Sequence, residues 1–379
     1  MKCSVLAAWL LVASQGLLLG GCGGGDAGSE SRLEIPTTMA SGTQPESGTV
    51  SVKWNPGHYM GLPADVEDSE FHAGLDEIQD LPFVKGALLR VFWRQLEPQK
   101  DVYDFSRIDR YLELAAAHKK RFGLLLTTKN YRAGVASPDY LRTPLFDGGV
   151  FLVAKFKGTI GDNITLWDSN TYYRLVRLIK ALATRYDGNP WFEVLVINET
   201  AFGQPVIPMP EAQRASFFDN LMRVDIAARQ SFSRTVVIQY VNFPYTYTPS
   251  VAQNLLNNGI GIGGPDVFLD DRDHDRRVYP LIEPARARVP VGMQVEADCY
   301  YARSLGGPWD PPPVRELYDL ARNRLHSNYI FWQRVLETKY RPWEKVLSMF
   351  RSPDFPADAS GGLETACPAS YARCMGQQP

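Results

Sequence analysis

From residue 50 onward, short apolar runs alternate with longer stretches whose apolar residues recur every three or four positions. This is the pattern of parallel strands joined by crossover helices. Eight alternations can be counted, with strands predicted at residues 50–54, 86–92, 122–127, 192–197, 235–240, 262–269, 291–295 and 329–332. The clearest helices are predicted at 105–118, with Ile108, Tyr111, Leu112 and Ala115 on one face, and at 172–186, with Leu175, Leu178, Ile179 and Leu182. Residues 211–232 and 314–326 supply two more, while the first and sixth helices are weakly marked. Eight units within about 300 residues predict an α/β fold, a (β/α)8 TIM barrel forming a single domain over residues 50–350. The rival is an open doubly wound sheet. Its glycine-rich dinucleotide turn has one candidate, residues 259–264, which reads better as a helix stop running into a strand. Residues 129–168 are long for a connection and are expected to wall the active face.

The first 49 residues follow another pattern. Lys2, an apolar stretch over 5–19 and Leu19-Gly20-Gly21-Cys22 compose a secretory signal too short to span a membrane. The ending resembles a bacterial lipobox, which implies a signal peptide over 1–21 and lipid attachment at Cys22. Residues 22–49, rich in Gly, Ser, Thr and Glu, then form a flexible tether. The expectation is an extracytoplasmic protein, lipid-anchored to a bacterial membrane; an ordinary secretory signal is the alternative. At the other end, residues 351–379 read as a tail in which Cys367 and Cys374 can form a disulfide, with Cys299 as a competing partner.

Charge narrows the partners. Lys plus Arg number 40 against 42 Asp plus Glu, so the net charge of -2 gives no general attraction for nucleic acid. A monomer without a cofactor is expected.

In such a barrel, chemistry gathers at the C-terminal ends of the strands. Strand four ends in Ile197-Asn198-Glu199 and strand seven in Gln294-Val295-Glu296, so two glutamates are expected to face each other across the mouth. Cleavage of a glycosidic bond uses such a pair, one carboxylic acid to protonate the leaving oxygen and one carboxylate to attack the anomeric carbon. Arg90, inside the apolar second strand, needs a buried counter-charge and is expected to support the nucleophile.

These residues resemble the clan A glycoside hydrolases, TIM-barrel retaining glycosidases. The resemblance spans residues 50–350 and includes Trp93-Arg94-Gln95-Leu96-Glu97-Pro98 followed by Tyr103-Asp104-Phe105. It implies hydrolysis of a β-linked polysaccharide or oligosaccharide, with Glu199 as acid/base and Glu296 as nucleophile. It also implies sugar contacts from Asn198, Arg90 and Trp332. The chain departs after strand six, where Asp270, Asp271, Asp273, His274 and Asp275 stand in place of the tyrosine or histidine found in many members. Tyr240, Tyr245, Tyr300 and Tyr301 are substitutes, and the departure also admits a non-catalytic carbohydrate-binding or exopolysaccharide-assembly lipoprotein.

Other residues have plainer readings. Asp298, two positions after Glu296, is the substitute nucleophile. The acidic cluster after strand six is interleaved with arginines and reads as a solvated loop, so no metal is expected. Trp54, Trp93 and Trp332 are expected at strand exits as sugar platforms, and His58 on the active face as a substrate contact or a structural hydrogen bond.

Overall fold

The computed structural model describes residues 50–131, 135–154 and 160–376; the predicted signal and tether, with Cys22, lie outside the described residues. Eight parallel strands close into a barrel in chain order. They are β1 (Gly57–Leu62), β2 (Val84–Phe92), β3 (Arg121–Thr127), β4 (Phe192–Ile197), β5 (Val236–Tyr240), β6 (Gly261–Gly264), β7 (Val291–Val295) and β8 (Tyr329–Gln333). Outside them lie α1 (Asp68–Glu77), α2 (Ser106–Ala117), α3 (Ser169–Tyr186), α4 (Glu211–Ser231), α5 (Thr248–Asn257), α6 (Tyr279–Ile282), α7 (Val314–Asp319) and α8 (Pro342–Phe350). The short sixth helix follows one wide turn, His274–Val278, which explains its faint periodicity.

The period of two along each strand sorts side chains into two layers. Tyr59, Leu88, Leu125, Val194, Val196, Ile238, Tyr329 and Phe331 fill the barrel. Their neighbours Met60, Leu89, Leu124, Leu195, Val237, Ile330 and Trp332 pack outward against the helices. In α3, Asp168 caps the first turn by accepting from the Thr171 N–H at 2.8 Å, and Leu175, Leu178, Ile179 and Leu182 face the sheet. Gly259, at φ +63°, ends α5. At Gly263 a Cβ would fall 1.6 Å from the Gly292 carbonyl, so the glycine-rich run is a barrel strand pressed against β7.

Strand one differs from the sequence expectation. Residues 50–54 are not in the barrel; Val52–Lys53 pairs instead with Cys374–Met375. The barrel strand begins at Gly57, where two glycines and a histidine hide the apolar run. Residues 351–376 likewise are not an appended tail. Tyr371 and Trp54 pack with Tyr59 and Tyr329 in the barrel interior, and Trp54 donates its indole N–H to the Thr365 carbonyl at 2.8 Å. Lys53 binds the Asp187 and Asn189 carbonyls just before β4, which puts this closure at the N-terminal end of the barrel. Cys367 and Cys374 are disulfide-bonded, and Cys299 is buried and free.

The long third connection has structure of its own. Val150–Ala154 and Ile160–Ile164 form an antiparallel pair that Gln204–Pro205 extends, a small sheet joining the loops after β3 and β4.

Candidate active site

Interior-facing positions at the strand ends follow from the same alternation. Leu88 points inward, so Arg90 and Phe92 do too, and Val194 and Val196 place Asn198 likewise. On β7, Met293 and Val295 face outward, which turns Gln294 and Glu296 inward. These side chains line a cavity of about 480 Å³ together with Leu62, Lys129, Tyr131, Glu199, Asp298 and Gln333. Glu199 and Glu296 thus open into one space.

Each glutamate has a cationic neighbour. The Arg90 guanidinium forms an ion pair with Glu296 Oε1, both side chains being about one-quarter to one-third exposed (26% and 33%). Burial raises the Glu296 carboxyl above the ordinary glutamate value; Arg90 opposes this, and the charges of Glu199 and Asp266 add to it. The Lys129 ammonium lies 3.8 Å from Glu199 Oε1 and donates to the Glu199 carbonyl at 2.5 Å and to that of Ala201. Burial pushes its pKa down to about 8, against the pull of Glu199.

A polar chain stands behind Glu199. Asn242 Oδ1 accepts from the Ala201 N–H at 3.1 Å and the Phe243 N–H at 2.8 Å, which fixes the amide orientation. Its Nδ2 therefore donates to Glu199 Oε2 at 2.6 Å and to Asp266 Oδ2 at 3.0 Å. Beyond Asp266 lies the His274 imidazole, 3.3 Å from that carboxylate and 2.9 Å from Asp271. Burial alone would lower the imidazole pKa, but Asp266 and Asp271 outweigh it and hold it above the ordinary histidine value. The loop after β6 is thus only partly a solvated one. His274 is fully buried, whereas Asp270 and Asp275 pair with Arg303 and Arg324.

The predicted aromatic contacts fall elsewhere. Trp332 neighbours inward-facing Phe331 and Gln333, so it points outward, is fully buried, and donates to His58 Nδ1 at 3.0 Å. An indole can only donate, so His58 carries its hydrogen on Nε2, 3.3 Å from the Gly361 carbonyl. Burial pushes its pKa down to about 3. His58 is therefore a structural residue near the start of β1. Trp54 belongs to the barrel floor. Trp93 opens the short helix Trp93–Leu96 and packs outward, donating at 2.8 Å to Glu97, a buried carboxylate also held by Arg174 and Tyr140. Trp93, Leu96 and Glu97 thus serve packing, while Gln95 lines the cavity. Tyr240 does face inward, but it is fully buried beneath the cavity, with burial raising its phenol.

Asn198 is nearly buried, held by the Leu126 carbonyl and Gln239, and reaches the cavity. Asp298 also lines it, in the short helix Ala297–Tyr301, but Arg90 pairs with Glu296. Sequence reasoning missed Lys129, Asn242, Asp266 and the cavity-lining rings Phe92 and Tyr131. Only Phe92 had an available signal: Arg90 must face a polar space, and Phe92 shares its parity.

No protein-family model and no curated protein matches the sequence. Solved structures do. The fold is similar to the catalytic domain of β-amylase from Paenibacillus polymyxa, with TM-score 0.57 and 8% identity over 79% of this chain and 98% of that one. It is also similar to β-galactosidase from Bacillus circulans sp. alkalophilus, with TM-score 0.56 and 10% identity over 79% of this chain and 56% of that one. A third likeness is the β-galactosidase of the haloarchaeon Halorubrum lacusprofundi, with TM-score 0.51, 14% identity and coverage of 76% and 55%. The chain thus spans just over half the length of the two galactosidases. At these identities the likeness shows the shared fold alone, a (β/α)8 TIM barrel.

Proposed function

We propose that the chain is a retaining glycoside hydrolase acting on a β-linked glycan. The observation that carries this is the convergence of Glu199 and Glu296, from the ends of β4 and β7, on one open cavity, with Arg90 paired to Glu296. The neighbours' names, β-amylase and β-galactosidase, support carbohydrate as the substrate class.

In this reading Glu296 attacks the anomeric carbon and Glu199 protonates the departing oxygen. Water activated by Glu199 then releases the sugar with its original configuration. Asn242 donates to Glu199 Oε2, so that oxygen acts as an acceptor, and the transferred proton resides on Oε1. Lys129 lies near that oxygen and offsets the negative charge left when the proton departs. Arg90 has the parallel task at Glu296. Buried carboxylates tend toward their neutral form, and a nucleophile must be ionised, so a guanidinium beside it keeps a useful fraction charged. Activity should accordingly fall as the pH drops through the raised Glu296 value, and Arg90→Met should move that acidic limb to higher pH.

The test is a panel of activated aryl β-glycosides. Turnover should vanish in Glu296→Ala and return in part with azide, giving the glycosyl azide of inverted configuration. Full activity of that variant would reject Glu296 as nucleophile.

Lipid anchoring of an extracytoplasmic protein to a bacterial membrane through Cys22 is a further part of the proposal, supported by the lipobox-like ending. Fatty-acid labelling that disappears in Cys22→Ser is expected; labelling unchanged in that variant would contradict it.

A further inference from the structure

Away from the barrel mouth, the outer helices bring together His72 and Asp76 of α1 and His118 at the C-terminal cap of α2. One ligand atom from each lies within 4.8 Å of the others. The two rings pack edge to face with centroids 5.1 Å apart, and Asp76 reaches a nitrogen of each. Its Oδ2 is 3.3 Å from His72 Nδ1 and its Oδ1 is 3.3 Å from His118 Nε2. A distance near 3.3 Å is also the edge of a tetrahedron built on metal–ligand bonds of about 2.0–2.1 Å.

The tautomer of His118 adds an independent argument. Its Nδ1 lies 2.8 Å from the Leu114 carbonyl, and a carbonyl can only accept, so Nδ1 carries the hydrogen. In the neutral ring, Nε2 then turns its lone pair at a carboxylate oxygen. Two acceptors face each other, and such a contact holds only when a proton or a metal ion lies between them. A ring nitrogen committed to a backbone carbonyl while the other faces a carboxylate is also the arrangement that orients metal-ligating histidines.

We propose that His72, Asp76 and His118 form a binding site for a zinc-like divalent cation that clamps α1 to α2. Two imidazoles and one carboxylate suit zinc and its late first-row neighbours rather than magnesium or calcium, which prefer all-oxygen shells. The clamp has a counterpart one end of α1 away. There Asp68 pairs with Arg110 at 2.9 Å and accepts from the Tyr111 hydroxyl at 2.8 Å, both from α2. Eight residues of helix, about 12 Å at 1.5 Å per residue, separate Asp68 from Asp76, so a metal would fix the second end of the pair. The site has no part in the proposed hydrolysis.

The test is calorimetric titration of zinc chloride into the full chain, without an affinity tag, at pH 8, where protons compete least. His72→Gln, Asp76→Asn and His118→Ala are titrated in parallel. His72 and Asp76 are more than half exposed (53% and 56%), so their variants retain the fold, to be checked by circular dichroism. The parent should show a zinc site, unaffected by magnesium, that each variant weakens at least about tenfold. Zinc should raise the melting temperature of the parent and not of His72→Gln or Asp76→Asn, with turnover at the barrel mouth unchanged in both. Variant isotherms superimposable on the parent's, or displacement of zinc by magnesium, overturn the proposal.

Discussion

β4 carries a carboxylate at each end, Glu193 near its start and Glu199 just beyond its finish, and their surroundings are opposites. Glu193 is fully buried. It accepts from the Asn55 N–H and Nδ2 at 2.7 Å each and from the Tyr329 hydroxyl at 3.0 Å, with Arg121 at 4.0 Å. Three donors and a cation complete its shell, so the floor of the barrel holds a carboxylate with nothing left to offer a ligand. Among the described residues Glu199 has one side-chain hydrogen-bond donor, Asn242, and a cation at 3.8 Å, and it opens on a cavity. A buried acid saturated by donors stabilises a fold, whereas one left partly unsatisfied beside a cavity can exchange a proton with a substrate.

Substitution should separate the two ends. The largest effect belongs to Glu296→Ala at the mouth, which should lower kcat by more than about 10⁴-fold with the melting temperature nearly unchanged. Glu199→Gln should cost about 10²–10⁴-fold on substrates with poor leaving groups and far less on an activated aryl glycoside, because only the former need the acid. At the floor, Glu193→Ala should leave Arg121 without a carboxylate and destabilise the fold by about 3–5 kcal/mol in denaturant titration, while folded molecules keep their kcat. Asn242→Ala should reduce kcat roughly tenfold with KM held, by freeing the Glu199 carboxyl to rotate. A comparable loss from Glu193→Ala in folded protein would erase the distinction.

A further effect concerns pH. His58 has its pKa pushed down to about 3 in the folded chain, while an unfolded histidine titrates near 6.5. As pH falls below that ordinary value, the unfolded chain takes up a proton the folded one refuses. Stability should therefore drop by about 1.4 kcal/mol per pH unit from roughly 6.5 toward 3 on account of this residue. Urea midpoints measured across that window should show a shallower slope in His58→Gln.

The sequence is easiest to read where its physics is local. Strands β2, β3, β4, β5, β7 and β8 are apolar runs bounded by polar residues, and their positions could be read within two residues. β1 could not, because Gly57, His58 and Gly61 interrupt the run for reasons visible only in three dimensions: His58 is satisfied by Trp332 and Gly361, far along the chain. Trp332 was misplaced by a single parity step, since it follows inward-facing Phe331 and a strand turns each successive side chain to the opposite face, whereas Trp93 opens the short helix Trp93–Leu96. Lys129, Asn242 and Asp266 sit in loops without periodicity, so only folding reveals that they converge behind Glu199.

The central claim is that Glu296 bonds to the sugar during turnover. Brief incubation with 2-deoxy-2-fluoro β-glycosides bearing dinitrophenolate leaving groups, followed by mass spectrometry of peptic fragments, addresses it directly. One fluoroglycosyl unit on the peptide containing Glu296 is the predicted result. A label on a different residue, or turnover that yields the inverted sugar with no adduct, would contradict the account.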